Sequence, residues 1–184
     1  MLNNGINLDK LNETVNAIKS DPQKAQYQFR VRTQWVEGGR SKTTIKGFYG
    51  MGREDTSRSK PFVLEADEPP ILAGGNTGPN AVETLLASLA ECMAVGFVYN
   101  AAVQDIKIEA LDFSLEGDID LRGFLGLSET VRPGYKNIKL TCHVKADAPQ
   151  PKLQELWNYA AKTSPVLDIL RNPVPVTVKL EATH

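Results

Sequence analysis

The chain has 184 residues, of which 41% are hydrophobic and 23% are charged, a composition typical of one ordinary soluble domain that buries its own core. Its 21 basic and 22 acidic side chains give a net charge of −1, so no whole-molecule field attracts nucleic acid or an anionic membrane. The first residues lack the pattern of a secretory signal, and the uncharged stretch 92–104 is too short to span a bilayer. We therefore expect a cytoplasmic protein with no nucleic-acid or membrane partner.

The chain has only two cysteines and two histidines, which limits the metal and disulfide chemistry that is possible. They are Cys92, Cys142, His143 and His184. Neither a CxxC nor an HxxxH spacing occurs, so the sequence predicts no metal site and no cofactor. A reducing compartment keeps thiols free, which argues against a disulfide framework. Neighbours on a strand point to opposite faces, so Cys142 and His143 do not form a nucleophile pair, and Cys142 is predicted to be a core residue.

The first half of the chain predicts a helical arm in residues 1–25 followed by a β part in residues 26–78. Asn7 caps a short amphipathic helix in the arm. Apolar residues alternate over 27–35 and again over 43–49, which is typical of a strand hairpin around a glycine turn. A mobile loop is expected over 51–60, then a short strand over 61–65.

A central helix is predicted over residues 79–103, directly after a glycine-rich loop that lacks the spacing of a phosphate-binding motif. The helix carries Cys92 and is apolar on nearly every face. Such a helix needs partners all round it, whereas a single sheet covers only one side. We therefore predict a homodimer whose interface buries this helix.

Residues 104–184 predict a ββααβ part. A register switch near residue 110 indicates a bulge in the first strand, and a second strand contains Cys142. An amphipathic helix covers 151–162, and Ser164 with the following proline starts another helix as cap and first-turn proline. Alternating Val174, Val176, Val178 and Leu180 predict a final strand. Strands at both ends of a long apolar helix indicate an α+β fold with antiparallel pairing, in a single domain.

Several runs of residues resemble one known family. They are FVLEADEP from Phe62, GGNTGPN from Gly74, LLASLAEC ending at Cys92, SPVLDIL from Ser164 and NPVPV from Asn172. In their order and spacing they resemble the OsmC/Ohr superfamily of osmotically induced and organic-hydroperoxide-resistance proteins, over roughly residues 27 to 181. The resemblance implies an intertwined homodimer, with an antiparallel sheet wrapped around two central helices and active sites at the subunit interface.

The resemblance also assigns roles to individual residues. It implies that Cys92 is the peroxidatic cysteine, that Arg40 holds its thiolate, and that Glu83 is the acidic partner of that arginine. In the peroxidase members a second cysteine, in a Cys-Pro helix start, closes a disulfide with the first. Ser164 stands at that position here, and a hydroxyl cannot form a disulfide.

Two functions stay open at this point. The first is a one-cysteine hydroperoxide reductase, in which Cys92 attacks an organic hydroperoxide and an external thiol reduces the resulting sulfenic acid. The alternative is a non-peroxidase homologue that binds a small hydrophobic molecule in the dimer-interface pocket, with Cys92 merely lining it. Arg40 would favour the thiolate, while desolvation in the apolar helix would oppose it.

Each of these residues also has a structural interpretation. Cys92 fits a packed core thiol, Arg40 fits a solvated turn residue, and Ser164 fits a helix cap. Glu83 lies roughly 180° around an ideal helix from Cys92 and about 13 Å away along its axis. It therefore orients Arg40, faces the other subunit, or is a first-turn acid favoured by the helix dipole.

Overall fold

The structure is a computed structural model and describes residues 1–182. The chain divides into two compact units, Met1–Ala87 and a second that begins at Ser88. The division falls inside a long helix, α2 (Ala81–Val103). His184, considered above as a metal ligand, lies outside the described residues.

The first unit combines a capped helix with short antiparallel strands. Asn7 accepts a hydrogen bond from the Lys10 amide at 3.1 Å, which confirms the predicted arm helix and its cap. Beyond a small β1–β2 hairpin, the strands form two three-stranded sheets, in the orders β3–β6–β7 and β4–β5–β8. The elements are β1 (Leu2–Asn3), β2 (Ile6–Asn7), α1 (Leu8–Ser20), a 3-10 turn (Pro22–Ala25), β3 (Gln28–Phe29), β4 (Arg32–Glu37), β5 (Arg40–Ile45), β6 (Phe48–Gly50), β7 (Arg53–Asp55), β8 (Phe62–Ala66), a second 3-10 turn (Pro70–Leu72) and the first residues of α2 (Ala81–Val103).

The hairpin predicted over 27–49 is present, but each of its strands is broken in two. β3 and β6 pair in one sheet, whereas β4 and β5 pair in the other. The breaks fall at residues 30–31 and 46–47, where both strands leave one sheet for the next, as strands do at the corners of orthogonal packings. Gly47 adds no side chain at the bend. The loop predicted over 51–60 also contains the strand β7.

The second unit packs two helices on an antiparallel hairpin. The predicted bulge is confirmed, because the pairing register shifts between Lys145 and Ala146 and leaves Glu109 of the facing strand unpaired. A Cβ added to Gly96 of α2 would lie 3.5 Å from the Ala160 Cβ, so this glycine permits the close approach of α2 to α4. The elements are β9 (Ile108–Asp118), α3 (Leu121–Phe124), β10 (Asn137–Ala146), α4 (Gln150–Thr163) and α5 (Pro165–Arg171).

The core of the second unit is a stripe along α2 at four-residue spacing. Leu89, Met93, Phe97 and Ala101 are buried there, and Leu156 and Ala160 of α4 meet them. Half-buried side chains of β9 and β10 pack on this cluster. The whole of α2, unlike the shorter uncharged stretch 92–104 considered above, is long and apolar enough to cross a membrane by length and composition alone, a test that the core helix of a globular protein also passes. One stripe of α2 lies in the core of the second unit, and the other faces of the helix are half-buried or exposed.

The final strand predicted over 174–180 is not formed. Residues 173–182 belong to no strand, and the sheets of the described residues contain no partner for them. The alternating side chains stay exposed, Val178 at 89% and Leu180 at 90%. A strand is stabilised by a neighbouring strand rather than by its own sequence, so the alternation alone does not produce one.

Candidate thiol site

Cys92 lies on α2 at the edge of the buried stripe, directly before Met93, and is half-buried. Its sulfur accepts a hydrogen bond from the Ser164 hydroxyl, with an Oγ to Sγ distance of 3.1 Å. The two residues are 72 positions apart in the chain. The structure thus brings together the helix cysteine and Ser164, which the resemblance described above aligns with the second cysteine of the peroxidase members.

Ser164 is held in place by the helix that follows it. Its Oγ accepts the Leu167 amide at 3.2 Å, which makes it the N-cap of α5, and Pro165 occupies the first turn. The residue is only 3% exposed. Ser164 is therefore both the predicted helix cap and a direct contact of the Cys92 sulfur.

Cys142 is the second free thiol, and it is half-buried on β10 opposite Phe113. Burial raises the pKa of the Cys142 thiol, and the nearby Asp112 carboxylate raises it further. Both effects favour the protonated thiol, which is the unreactive form. Cys142 also lines a cavity of about 750 Å³ between β10 and α4, so it faces a groove and is not enclosed in the core.

Arg40 begins β5 in the first unit and is half-buried. Its Nη1 donates to the Glu37 Oε1 at 2.9 Å across the end of the β4–β5 hairpin. An ion pair this close to solvent contributes little to stability. The role of Arg40 toward the Cys92 thiolate stays a prediction.

Glu83 takes part in a capping box at the start of α2. Its Oε2 accepts the Asn80 amide at 2.8 Å, and the Asn80 Oδ1 accepts the Glu83 amide at 2.9 Å. The Asn-x-x-Glu spacing was readable in the sequence, but the reciprocal pair was not recognised there. The catalytic role of Glu83 stays a prediction, now beside an observed structural role.

Variants at this box separate the two roles of Glu83. We expect Asn80→Ala to lower the free energy of unfolding by about 1 kcal/mol, as the loss of an N-cap usually does. Glu83→Ala should also lower it, whereas Glu83→Gln should retain stability, because glutamine also completes a capping box. Urea unfolding and the rate of hydroperoxide consumption are measured on each. A Glu83→Gln protein of normal stability that consumes hydroperoxide more slowly would show that the charge acts in the chemistry.

The loop before α2 is organised by Asp67, a residue to which the sequence patterns assign no role. The carboxylate is buried and accepts hydrogen bonds from the Thr77 amide at 3.1 Å, the Thr77 hydroxyl at 2.8 Å and the Glu68 amide at 2.8 Å. These bonds, that from the Thr77 amide first, hold the pKa of Asp67 below its usual range. A Cβ on Gly74 would lie 1.8 Å from the Glu68 carbonyl oxygen, so close backbone approach requires this glycine.

No cluster of three or more potential metal-ligating side chains occurs in the part of the chain that the structure describes. The observed chemistry is that of a helix-borne thiol with a hydroxyl donor, in an α+β protein with antiparallel sheets. The family model described as OsmC-like protein matches residues 74–179, more than half of the chain. The chain belongs to this family.

Solved structures show the same fold. An OsmC-like protein from Mycoplasma pneumoniae is 16% identical, with a TM-score of 0.59 over 79% of this chain and 89% of that one. An organic hydroperoxide resistance protein, OsmC, from Legionella pneumophila is 20% identical, with a TM-score of 0.55 over 81% of this chain and 93% of that one. At these identities the likeness extends to the fold alone. Comparison with curated protein sequences gives no match.

Proposed function

We propose that this protein is a one-cysteine hydroperoxide reductase in which Cys92 is the peroxidatic thiol. The observation that carries the proposal is the 3.1 Å contact between the Cys92 sulfur and Ser164. It joins the two chain segments from which the peroxidase members of the family take their two cysteines. The half-buried thiol has a polar partner there, unlike a thiol packed only among apolar side chains.

The reaction begins with attack of the Cys92 thiolate on one oxygen of an organic hydroperoxide. The S–O bond forms as the O–O bond breaks, so sulfur is oxidised to sulfenic acid and the peroxide is reduced to an alkoxide, which takes a proton and leaves as the alcohol. An external thiol then attacks the sulfenic sulfur and releases water, leaving a mixed disulfide. A second external thiol releases reduced Cys92 and a disulfide of the two reductant molecules.

Reduction of the Cys92 sulfenic acid by an external thiol follows from the residue that contacts the sulfur. Ser164 has a hydroxyl at the position where two-cysteine members have a thiol, so no internal disulfide forms at this contact. Cys142 lies on β10, and its raised pKa disfavours the thiolate that would be needed to attack. This cycle requires a compartment that supplies free thiols. A reducing cytoplasm supplies them, and we propose that the protein acts there.

The test is direct labelling of the oxidised sulfur. Reduced protein is mixed with cumene hydroperoxide and trapped with a sulfenic-acid probe, and the labelled cysteine is located by mass spectrometry. We expect complete loss of label in Cys92→Ser and full label in Cys142→Ser, because only Cys92 has the contact described above. Label that forms no faster than at an unreactive buried thiol would remove the enzyme proposal.

The alternative function assigns Cys92 to the wall of a pocket for a small hydrophobic molecule. The 750 Å³ cavity of the second unit is lined by Cys142 and by apolar side chains such as Phe97 and Trp157, and Cys92 is not among its lining residues. The cavity therefore supports binding of a small hydrophobic molecule, but it does not support a role for Cys92 in that binding. A co-purifying apolar ligand in native mass spectrometry would favour it.

We further propose that the protein is a homodimer. On α2 a second apolar stripe, Val95, Tyr99 and Val103, repeats at four-residue spacing on the side opposite the buried stripe, and all three side chains are exposed. In the first unit β4 is exposed along its whole length, with Trp35 at 75%. Exposed apolar surface of this extent is typical of an interface.

The tail formed by residues 173–182 supplies a specific contact for the dimer. β10 pairs with β9 along one edge, and its other edge has no partner strand among the described residues. The 750 Å³ cavity runs along that free edge, since the five successive residues from Leu140 to Val144 line it despite their alternating faces. Gln150, Leu153, Gln154 and Trp157, on one face of α4, form the opposite wall. We place the tail of the second copy in this groove.

A further inference from the structure

We propose that Ser164 is a positioning residue for the reactive thiol: its hydroxyl, clamped by α5, holds the Cys92 sulfur in one orientation. The inference rests on the proposed function for its consequence in peroxide reduction. The effect on the sulfur itself does not depend on which oxidant the protein uses. Replacement of the resolving cysteine by serine thus retains a partner for the thiol while removing the internal disulfide.

The clamp fixes the position of the Ser164 oxygen. A serine hydroxyl has one hydrogen and two acceptor lone pairs. The Ser164 Oγ accepts the Leu167 amide at 3.2 Å with one lone pair, and the hydroxyl donates to the Cys92 sulfur at 3.1 Å. Because Ser164 is only 3% exposed, water does not compete freely for that hydrogen. The donor is therefore fixed before the thiol ionises.

A fixed donor holds its acceptor in place. The O–H···S bond keeps the Cys92 sulfur in one orientation, and a hydrogen bond to an ionised acceptor is stronger than one to a neutral acceptor, so the attacking sulfur stays held. The thiolate is the nucleophile in both peroxide attack and alkylation. Removal of the donor should therefore slow both reactions by a similar factor, roughly tenfold for the loss of one bond to a charged group.

The experiment must separate the donor from the cap, because Ser164 serves as both. Ser164→Gly removes the hydroxyl but retains most of the capping preference, since glycine at an N-cap costs only a few tenths of a kcal/mol relative to serine. Ser164→Thr retains both the donor and the cap. Asn172→Ala removes the hydrogen bond from Asn172 to Asp168 at the far end of α5 and serves as the matched control for a weakened helix.

All variants are made with Cys142→Ser so that one thiol is observed. The rate of alkylation by iodoacetamide is measured at neutral pH. We expect Ser164→Gly to alkylate roughly tenfold more slowly, and Ser164→Thr and Asn172→Ala to match the parent. Alkylation of Ser164→Gly at the parent rate, or an equal loss in Asn172→Ala, would overturn the proposal.

The same proteins are then assayed for sulfenic-acid formation with cumene hydroperoxide. If the parent forms none while alkylation still falls in Ser164→Gly, the proposed function fails and the positioning role stands. If the parent is oxidised rapidly and Ser164→Gly is oxidised equally fast, the positioning role fails and the function stands.

Discussion

Ser164→Cys is expected to close an intrachain disulfide with Cys92 when the protein meets one equivalent of hydroperoxide. The Oγ of Ser164 lies 3.1 Å from the Cys92 sulfur, and a disulfide needs a sulfur separation of about 2.05 Å. The two side chains already face each other, so a small rotation of each closes the gap. The variant sulfur attacks the sulfenic acid of Cys92 and releases water, which converts a one-cysteine protein into a two-cysteine protein.

Three measurements detect the change. The oxidised variant should lose two hydrogens in its intact mass, lose both thiols in titration with Cys142→Ser present, and recover them with dithiothreitol. Its unfolding temperature should also rise, because a cross-link between positions 72 residues apart raises the free energy of unfolding by about 4 kcal/mol in the chain-entropy model. The parent protein, which retains Ser164, should instead form a mixed disulfide between Cys92 and an external thiol.

The control is Ser164→Cys combined with Cys92→Ser, which has no sulfur to oxidise at the helix position and should stay reduced. Persistence of sulfenic acid in Ser164→Cys would mean that the two side chains do not meet in solution. That outcome would contradict the geometry of the site, whereas a failure of oxidation in every variant would contradict only the proposed function.

Local chemistry made several parts of the fold predictable. Asn7 and Ser164 each present a side-chain oxygen at the start of a helix, and both cap one. The bulge in β9 followed from a change of face in the alternation of apolar residues. In each case the signal and the structure lie within a few residues of one another, so no knowledge of the rest of the chain was needed.

The features that were missed depend on partners distant in the sequence. The alternation over 27–35 marks extended chain correctly, but it does not specify that β3 and β4 pair in different sheets. The contact between Cys92 and Ser164 is made by the packing of α4 and α5 against α2, for which neither motif alone gives a distance. The family resemblance indicated the pair, and the structure provided the hydrogen bond and its clamp.

The tail of residues 173–182 also depends on a distant partner, and a change in the tail is expected to have a large effect on the dimer. Val174, Val176, Val178 and Leu180 share one face of an extended chain, while Thr177, Lys179 and Glu181 share the other. If this apolar face lies in the β10 groove of a second copy, charges placed on it should break the dimer. Val176→Asp with Val178→Asp should therefore give monomers in analytical ultracentrifugation at low micromolar concentration, because two carboxylates would be buried without partners.

The control places two carboxylates on the opposite face and changes the net charge by −3, against −2 for the first pair, because Lys179 is also lost. Thr177→Asp with Lys179→Asp should nevertheless leave the dimer intact, since these positions point away from the groove in an edge strand. Equal dissociation by both pairs would indicate a general effect of charge on the tail. A wild-type protein that is already a stable monomer would remove the dimer proposal itself.

The native thiol on β10 provides the decisive version of this test. Cys142 lines the groove, so a cysteine placed on the apolar face of the tail should come within disulfide range of it. In a Cys92→Ser background we expect Val176→Cys or Val178→Cys to give a covalent dimer on oxidation at alkaline pH, where the raised pKa of Cys142 no longer keeps its thiol protonated, and Thr177→Cys to give none. The tail would bring the same residues together whether it paired in the partner's groove or in the groove of its own chain. The mass of the cross-linked product distinguishes these two arrangements. A cross-linked monomer would mean that each tail folds back onto its own β10, and the exchange between copies would then be wrong.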